Sequence, residues 1–320
     1  MKMIIKVWLM IAGSLVLIGC ILFVVVMSTL KWDFTKLSTV KYETNTYEID
    51  ETFSDISMTT NTADIIFALS DDGKCRVECH EEENAKHSVT VENNVLVVKI
   101  DNQKSWYDYI GFSFGSPKIT VYLPKTEYNA LSINESTGNV DIPKDYSFEN
   151  ADISLSTGNV DFCAAASGSI KINTSTGNIN IENTSAGSLD LSVSTGRVTV
   201  SGVACEDSIT VGVSTGKVIL TDISCKSVIS SGTTGSISMS NVIAANKFSV
   251  DRSTGNVKFS GCDAGEIYVE TSTGDVTGSF LSNKVFITDT DTGSVDVPKT
   301  ATGGRCEINT STGDIKIKTD

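Results

Sequence analysis

The stretch Ile170–Ile181, IKINTSTGNINI, is the unit from which most of this chain is built. Ser-Thr-Gly and a polar residue stand at its centre, with alternating apolar and polar residues on both sides. The glycine returns at intervals of 19 or 20 residues, at Gly138, Gly158, Gly177, Gly196, Gly216, Gly235, Gly255, Gly274, Gly293 and Gly313. A period this regular is typical of a repeat array, and it determines the fold before any local propensity does.

Each repeat predicts two short strands that meet at the Thr-Gly corner. In one repeat the alternating apolar positions are Leu189, Leu191, Val193, Val198 and Val200. Alternation with a period of two is the pattern of a strand with one buried face. Glycine suits the corner because it adopts positive φ at no steric cost.

Coils of about 20 residues stack as a parallel β-solenoid, so we predict an all-β chain with ten repeats over residues 131–320. A propeller blade needs about 40 residues, and a sandwich gives no reason for a constant turn spacing. Two further positions of the repeat, seven and nine residues after the corner glycine, predict a third turn that faces the core. Position seven is mostly apolar, with Val203, Ile223, Val242, Cys262 and Leu281. Position nine holds small residues, namely Ser167, Ala186, Cys205, Cys225, Ala244 and Ala264.

The N-terminus predicts a membrane anchor over residues 1–31, followed by a linker at 32–41. Residues 7–30 carry no charge, and this run is long enough to cross a bilayer as one helix. Lys2 and Lys6 precede it, so the positive-inside rule places the N-terminus in the cytoplasm and the repeats outside. The alternative is a lipoprotein signal with Cys20 at its cleavage site, but the apolar run continues past Cys20, which favours an uncleaved anchor.

The charge of the chain bears on its partners. The formal net charge is −14, which argues against nucleic acid or anionic lipid as direct partners and favours a solvated exterior.

The region 42–130 departs from the repeat. Thr62-Ala63-Asp64-Ile65 is a degenerate copy of the corner and predicts a first coil, and the rest reads as irregular β structure that caps the solenoid. An aromatic cluster in this region either covers the first core layer or forms an exposed binding loop, and its members are Trp106, Tyr107, Tyr109, Phe112 and Phe114. At the other end, Lys316 and Lys318 are expected to point outward from the last strand and to discourage end-to-end pairing.

The cysteines do not form a recognisable disulfide framework. Seven of the eight lie outside the apolar segment, and most occupy core or small columns as buried hydrophobic residues. Cys205 and Cys225 are one coil apart and within bridging distance, so a disulfide between them is one alternative. We predict no zinc site at Cys75, Cys79, His80 and His87, because alternation separates the two cysteines by about 13 Å and turns His80 to the other face.

The corner hydroxyls are the most conspicuous polar feature. We expect the Ser and Thr side chains to bond to neighbouring corners and to one another, with an ice- or glycan-binding ladder as the alternative. Asp141, Asp161 and Asn180 share an outward column, but calcium requires six or more oxygens and the column continues as Thr199 and Ile219. We therefore predict a solvated face there, with no metal and no cofactor.

Catalysis finds little support in the residues, so we predict that the chain is not an enzyme. Both histidines lie in the degenerate region, and no serine elbow is present. Polysaccharide lyases and hydrolases also use β-helices, but their carboxylates cluster on one face, whereas the acidic residues here are scattered.

Several segments together resemble a bacterial β-strand-repeat family of unknown function whose members are regarded as candidate adhesins, often membrane-anchored. They are YEIDETFSDISMTTNTADIIF, DDGKCRVEC, ITVYLP and the STGNVDI-like corners. The resemblance spans residues 42–320 and implies a β-solenoid on the outer face of a bacterial membrane, with no catalytic residues. We expect an adhesin or envelope scaffold that binds a cell-surface glycan or an envelope protein. An envelope-stress sensor and, less favoured, a carbohydrate-active enzyme are the alternatives.

Overall fold

A single apolar helix precedes the β structure. The computed structural model of the chain describes residues 2–37, 40–102 and 115–319. Helix α1 covers Lys2–Thr29, and a short 3-10 turn follows at Phe34–Leu37. Within α1, the stretch Ile5–Thr29 has a mean hydropathy of 2.9, and the rest of the protein does not cover it. A membrane span and a signal sequence would both show these two features.

Twenty-one strands follow within the described residues. Those of the first third are β1 Tyr42–Ile49, β2 Asp55–Thr62, β3 Asp64–Leu69, β4 Cys75–Glu82, β5 Ala85–Glu92, β6 Val95–Asn102 and β7 Lys118–Leu123. The repeats give β8 Glu127–Thr137, β9 Val140–Ile142, β10 Ser147–Thr157, β11 Val160–Phe162, β12 Ala165–Glu182, β13 Ser185–Cys205, β14 Ser208–Thr234, β15 Ile237–Thr254 and β16 Val257–Thr273. The last are β17 Val276–Phe280, β18 Lys284–Thr292, β19 Val295–Asp296, β20 Gly304–Thr312 and β21 Ile315–Thr319.

Successive coils pair in parallel and in register, which confirms the predicted β-solenoid. Ile172 pairs with Leu191, and Leu191 with Val211. All three side chains are fully buried, so each column of the repeat becomes a stack of apolar side chains along the core. Burying one such side chain stabilises the fold by roughly 1.5–3 kcal/mol, and the repeat multiplies that gain.

The corner requires glycine for two reasons. The first is the positive φ, which is 148° at Gly177. The second is the close approach of stacked corners. A Cβ at Gly177 would lie 1.8 Å from the carbonyl oxygen of Gly158 in the preceding coil. The same contact at Gly216 would be 1.6 Å, against Gly196. Stacked corners therefore approach too closely to admit a side chain.

The coils do not follow chain order at either end of the solenoid. The first coil, β2 and β3, lies between β6–β7 on one side and β8–β9 on the other. At the opposite end, β20 and β21 are inserted between β16–β17 and β18–β19. Lys316 and Lys318 are exposed, as expected, but their predicted place on the terminal edge is wrong: β21 is an internal strand, and β18–β19 forms the terminal coil.

An antiparallel cap covers the N-terminal end. Strand β4 pairs antiparallel with β7, β5 pairs antiparallel with β6, and β1 is added to β4. The inward side chains Cys75, Val77 and Cys79 of β4 are buried and join the hydrophobic core. The cap therefore shields the first core layer from water.

Two positions of the third turn differ from the prediction by one residue. Phe280, not Leu281, pairs with Cys262 and is fully buried, whereas Leu281 is half exposed. Ala166, not Ser167, pairs with Ala186. A shift of one residue exchanges the two faces of a strand, so the buried and exposed roles are exchanged as well.

Candidate functional site

The corner edge presents a continuous column of exposed hydroxyl groups. All ten corner threonines are exposed, and none of their side chains bonds to another described residue: Thr137, Thr157, Thr176, Thr195, Thr215, Thr234, Thr254, Thr273, Thr292 and Thr312. The eight serines that precede them are exposed as well. The expectation that these hydroxyls bond to one another or to neighbouring corners is therefore wrong.

A second set of threonines, inside the coil, supports the corners instead. Thr310 Oγ1 donates to the carbonyl oxygen of Gly274 at 3.2 Å, and Thr290 Oγ1 donates to that of Gly313 at 3.0 Å. Thr271 makes the same bond to Gly255 at 3.4 Å. These side chains are buried or half-buried and satisfy corner carbonyls from within, which leaves the outer hydroxyls available to solvent or a ligand.

A ladder of asparagines runs beside the hydroxyl column, one position after the glycine. The side-chain oxygen of Asn139 accepts hydrogen bonds from the backbone N–H and the Nδ2 of Asn159, each at 3.0 Å. Asn159 accepts from Asn178 in the same way, and Asp64 accepts from Asn139 at the end of the row. Each amide is therefore held in one orientation, and the ladder forms an ordered row of polar groups on the corner edge.

A shallow cleft of about 380 Å³ lies where the first coils meet. It is bounded by the corner residues Thr62–Asp64, Thr137–Asn139 and Thr157–Gly158, together with Gly115–Pro117. The predicted partner-binding residues Trp106, Tyr107, Tyr109, Phe112 and Phe114 lie outside the described residues. The described chain resumes at Gly115, which lines this cleft.

The outward column considered for calcium contains an internal hydrogen bond. Asn180 Nδ2 donates to Asp161 Oδ1 at 2.6 Å, and Asp141 is the register partner of Asp161. The amide engages one carboxylate oxygen that calcium would need, which agrees with a solvated face.

The cysteine thiols of the described residues are reduced, including Cys205 and Cys225. Cys205 Sγ donates to the carbonyl oxygen of Gly187 at 3.4 Å. Burial raises the pKa of Cys225 to about 12, and burial likewise raises the pKa of Cys306 to about 12. Such thiols stay protonated and behave as small hydrophobic side chains, as the sequence predicted.

The cap contains a buried polar cluster that was not predicted from the sequence. His87 Nδ1 lies 2.6 Å from Glu81 Oε2, and both side chains are buried. Asn45 Nδ2 donates to Glu81 Oε1 at 2.7 Å, and Thr60 Oγ1 lies 2.9 Å from His87 Nε2. The sulfur of Cys79 completes a group whose ligand atoms lie within 4.8 Å of one another. His80 points the other way and stacks on Tyr42, as strand alternation predicted.

Fold and corner edge together define a β-solenoid repeat protein with one N-terminal apolar helix. The Toastrack DUF4097 family profile matches residues 53–208 and 203–320. The chain belongs to this family, which confirms the resemblance found in the sequence.

Two solved structures resemble this chain at low sequence identity, and one of them shares its fold with a TM-score above 0.5. A candidate adhesin from Parabacteroides distasonis is 13% identical with a TM-score of 0.51, covering 88% of this chain and 98% of that one. A candidate lipid-binding protein from the same species is 18% identical with a TM-score of 0.47, covering 86% and 97%. The likeness to the candidate adhesin shows the fold alone.

One relative matches by sequence over a limited stretch. The phenylalanine–tRNA ligase beta subunit of Methanosphaera stadtmanae is 33% identical over 113 residues, which is 35% of this chain and 20% of that protein. This chain thus spans about a fifth of that ligase subunit, and the match carries no activity over to it.

Proposed function

We propose that this protein is a non-enzymatic adhesin or envelope scaffold that lies outside the cytoplasm and is held at the membrane by its N-terminal helix. The observation that carries the proposal is the corner edge, where ten threonine hydroxyls stand exposed without an intramolecular partner among the described residues. Each hydroxyl binds weakly, but a row of equivalent sites gains strength through avidity.

A neutral cell-surface glycan is the partner that fits this edge best. Hydroxyl and amide groups pair with sugar hydroxyls, and the asparagine ladder supplies amides in a fixed orientation. The net charge of −14 repels polyanionic glycans. An envelope protein that docks at the aromatic segment is the competing partner.

Isosteric substitutions test the role of the edge. Replacing Thr176, Thr195 and Thr215 together by valine removes three adjacent hydroxyls and keeps the volume. Binding of the chain to a neutral glycan array should fall several-fold. The matched control replaces Thr199 and Thr210, which lie on strand faces, by valine and should leave binding unchanged. Equal binding by both variants and the unchanged chain would refute a role for the corner hydroxyls.

A second variant separates the edge from the aromatic segment. Trp106 and Tyr109, two of the predicted partner-binding residues, are replaced together by alanine, and circular dichroism verifies that the solenoid is intact. Loss of binding in this variant alone would assign recognition to the aromatic segment and favour a defined protein partner. Weaker binding of the threonine variant alone would assign recognition to the repeats.

Protease accessibility tests the location. The positive-inside rule places the solenoid outside, so protease added to intact cells should remove it. Protection of the solenoid until lysis would refute this orientation and, with it, a role in adhesion.

A further inference from the structure

The buried cluster in the cap has the composition of a transition-metal site. Cys79 and Glu81 are inward residues of β4, and His87 is an inward residue of β5 after the turn. Their exposed fractions are 0%, 1% and 4%. A thiol, a carboxylate and an imidazole thus converge in a place that water does not reach.

The distances suit coordination by one ion. One sulfur, one carboxylate oxygen and one imidazole nitrogen lie within 4.8 Å of one another. Around a tetrahedral zinc ion, with bonds of about 2.0–2.3 Å, ligand atoms are roughly 3.3–3.8 Å apart. A rotamer adjustment of about an ångström in this group would reach that geometry.

The surrounding hydrogen bonds hold the ligands as outer-shell partners do in known metal sites. Asn45 holds one oxygen of Glu81, and Thr60 faces the Nε2 of His87. Glu81 Oε2 accepts the backbone N–H of His87 at 2.6 Å and also lies 2.6 Å from His87 Nδ1. A metal ion would bind between Glu81 Oε2 and His87 Nδ1, and the imidazole would direct an Nε2–H toward Thr60.

Two features go beyond a simple Glu–His pair. The Cys79 thiol lies beside the pair and makes no hydrogen bond to another described residue, so its sulfur is free to bind an ion. A loaded site would also be electrically neutral, because the Cys79 thiolate and the Glu81 carboxylate together balance a divalent cation. An uncompensated charge is costly in an apolar surrounding, so a buried site is stable only when its charges are balanced.

We propose that Cys79, Glu81 and His87 bind one zinc ion, which fastens the β4–β5 cap over the end of the solenoid. The sulfur and nitrogen ligands favour zinc over magnesium or calcium. Binding releases the thiol proton to solvent, and the three residues supply three of the four tetrahedral positions. No ligand of this site lies on the corner edge, so the proposal is independent of adhesion.

The test uses the full chain in detergent, stripped with a chelator and titrated with zinc or with cobalt as a spectroscopic probe. We expect one metal ion per chain, a higher melting temperature with zinc, and a near-ultraviolet thiolate-to-cobalt band. Cys79→Ser should lose the band and at least tenfold in affinity. Cys75→Ser, the same change two inward positions away on β4, should retain both.

Two results would overturn the proposal. One is the absence of stoichiometric zinc or of the thiolate band in the unchanged chain, and this result decides the matter even if Cys79→Ser fails to fold. The other is a band that persists in folded Cys79→Ser, since the sulfur would then come from another cysteine.

Discussion

Glu135 makes the stability of the solenoid depend on pH. Its side chain lies in the inward column of β8 and is 2% exposed. One oxygen accepts a hydrogen bond from the backbone N–H of Ala63 at 2.8 Å, and the other has no partner. Burial, aided by the negative charge of Asp64, raises the pKa of Glu135 from 4.5 to about 8.

The sign of the effect follows from proton linkage. Because the pKa of Glu135 is raised on folding, the folded state holds the proton more tightly than the unfolded state. The free energy of unfolding should therefore be highest below pH 4.5, fall as the pH rises, and level off above pH 8. At about 1.4 kcal/mol per pKa unit, the loss between pH 5 and pH 9 amounts to about 4 kcal/mol.

Glu135→Gln should remove this dependence, because the amide keeps the acceptor for Ala63 and carries no charge. Urea unfolding of the full chain in detergent, followed by circular dichroism at pH 5, 7 and 9, measures the difference. The variant should match the unchanged chain at pH 5 and exceed its stability by up to about 4 kcal/mol at pH 9. Glu127→Gln, an exposed change on the same strand, is the control and should leave the profile unchanged. Parallel pH profiles for Glu135→Gln and the unchanged chain would refute the reasoning.

Four further predictions concern single positions in the solenoid. Val211→Asp buries an unpaired carboxylate and should cost several kcal/mol of unfolding free energy, whereas Thr210→Asp on the outer face should cost under about 0.5 kcal/mol; equal urea midpoints would mean that the strand faces are misassigned. Burial lowers the pKa of Arg252, whose Nε has no partner, so Arg252→Met should leave thermal stability unchanged or raise it; a clear loss would show that the guanidinium stabilises the core. Gly232→Ala should instead cost about 1–3 kcal/mol, because the added methyl group would clash with the Arg252 guanidinium and with the backbone carbonyl oxygen of Val213, and an unchanged urea midpoint would refute this close approach. Lys284→Met should loosen the terminal coil, so amide exchange in β18 should accelerate more than in β13; uniform exchange would refute a local role.

The repeating part of the fold could be predicted from the sequence because the pattern that specifies it lies within each repeat. The alternation around each glycine places Leu191 and Val211 in one column, and the constant interval sets their register. The same reasoning failed wherever the chain departs from its period. Nothing in the pattern of β18 or β20 indicates which is the outer coil, since both carry the same corner.

The polar sites were harder to predict for a different reason. The corner hydroxyls were expected to bond internally, but Thr271, Thr290 and Thr310 already satisfy corner carbonyls from inside. The cluster in the cap depends on a hairpin that brings His87 across to Glu81, and strand alternation on β4 alone does not show that contact. Sites built from two strands require the pairing, which the sequence did not specify.

The order of the coils is not encoded by the periodic residues. In a strictly periodic solenoid, exchanging two neighbouring coils leaves every apolar column intact, so the core does not distinguish the two orders. Any preference must therefore come from residues that depart from the period, and Lys284 is one of them. It is in register with Gly304, and its Nζ lies 2.6 Å from Asp263 Oδ1. Because the lysine is almost fully buried and the carboxylate is three-quarters buried, removing either partner would leave a buried charge uncompensated, at a cost of several kcal/mol. This pair ties the start of β18 to β16, whereas the repeat supplies only the solenoid in which both residues act.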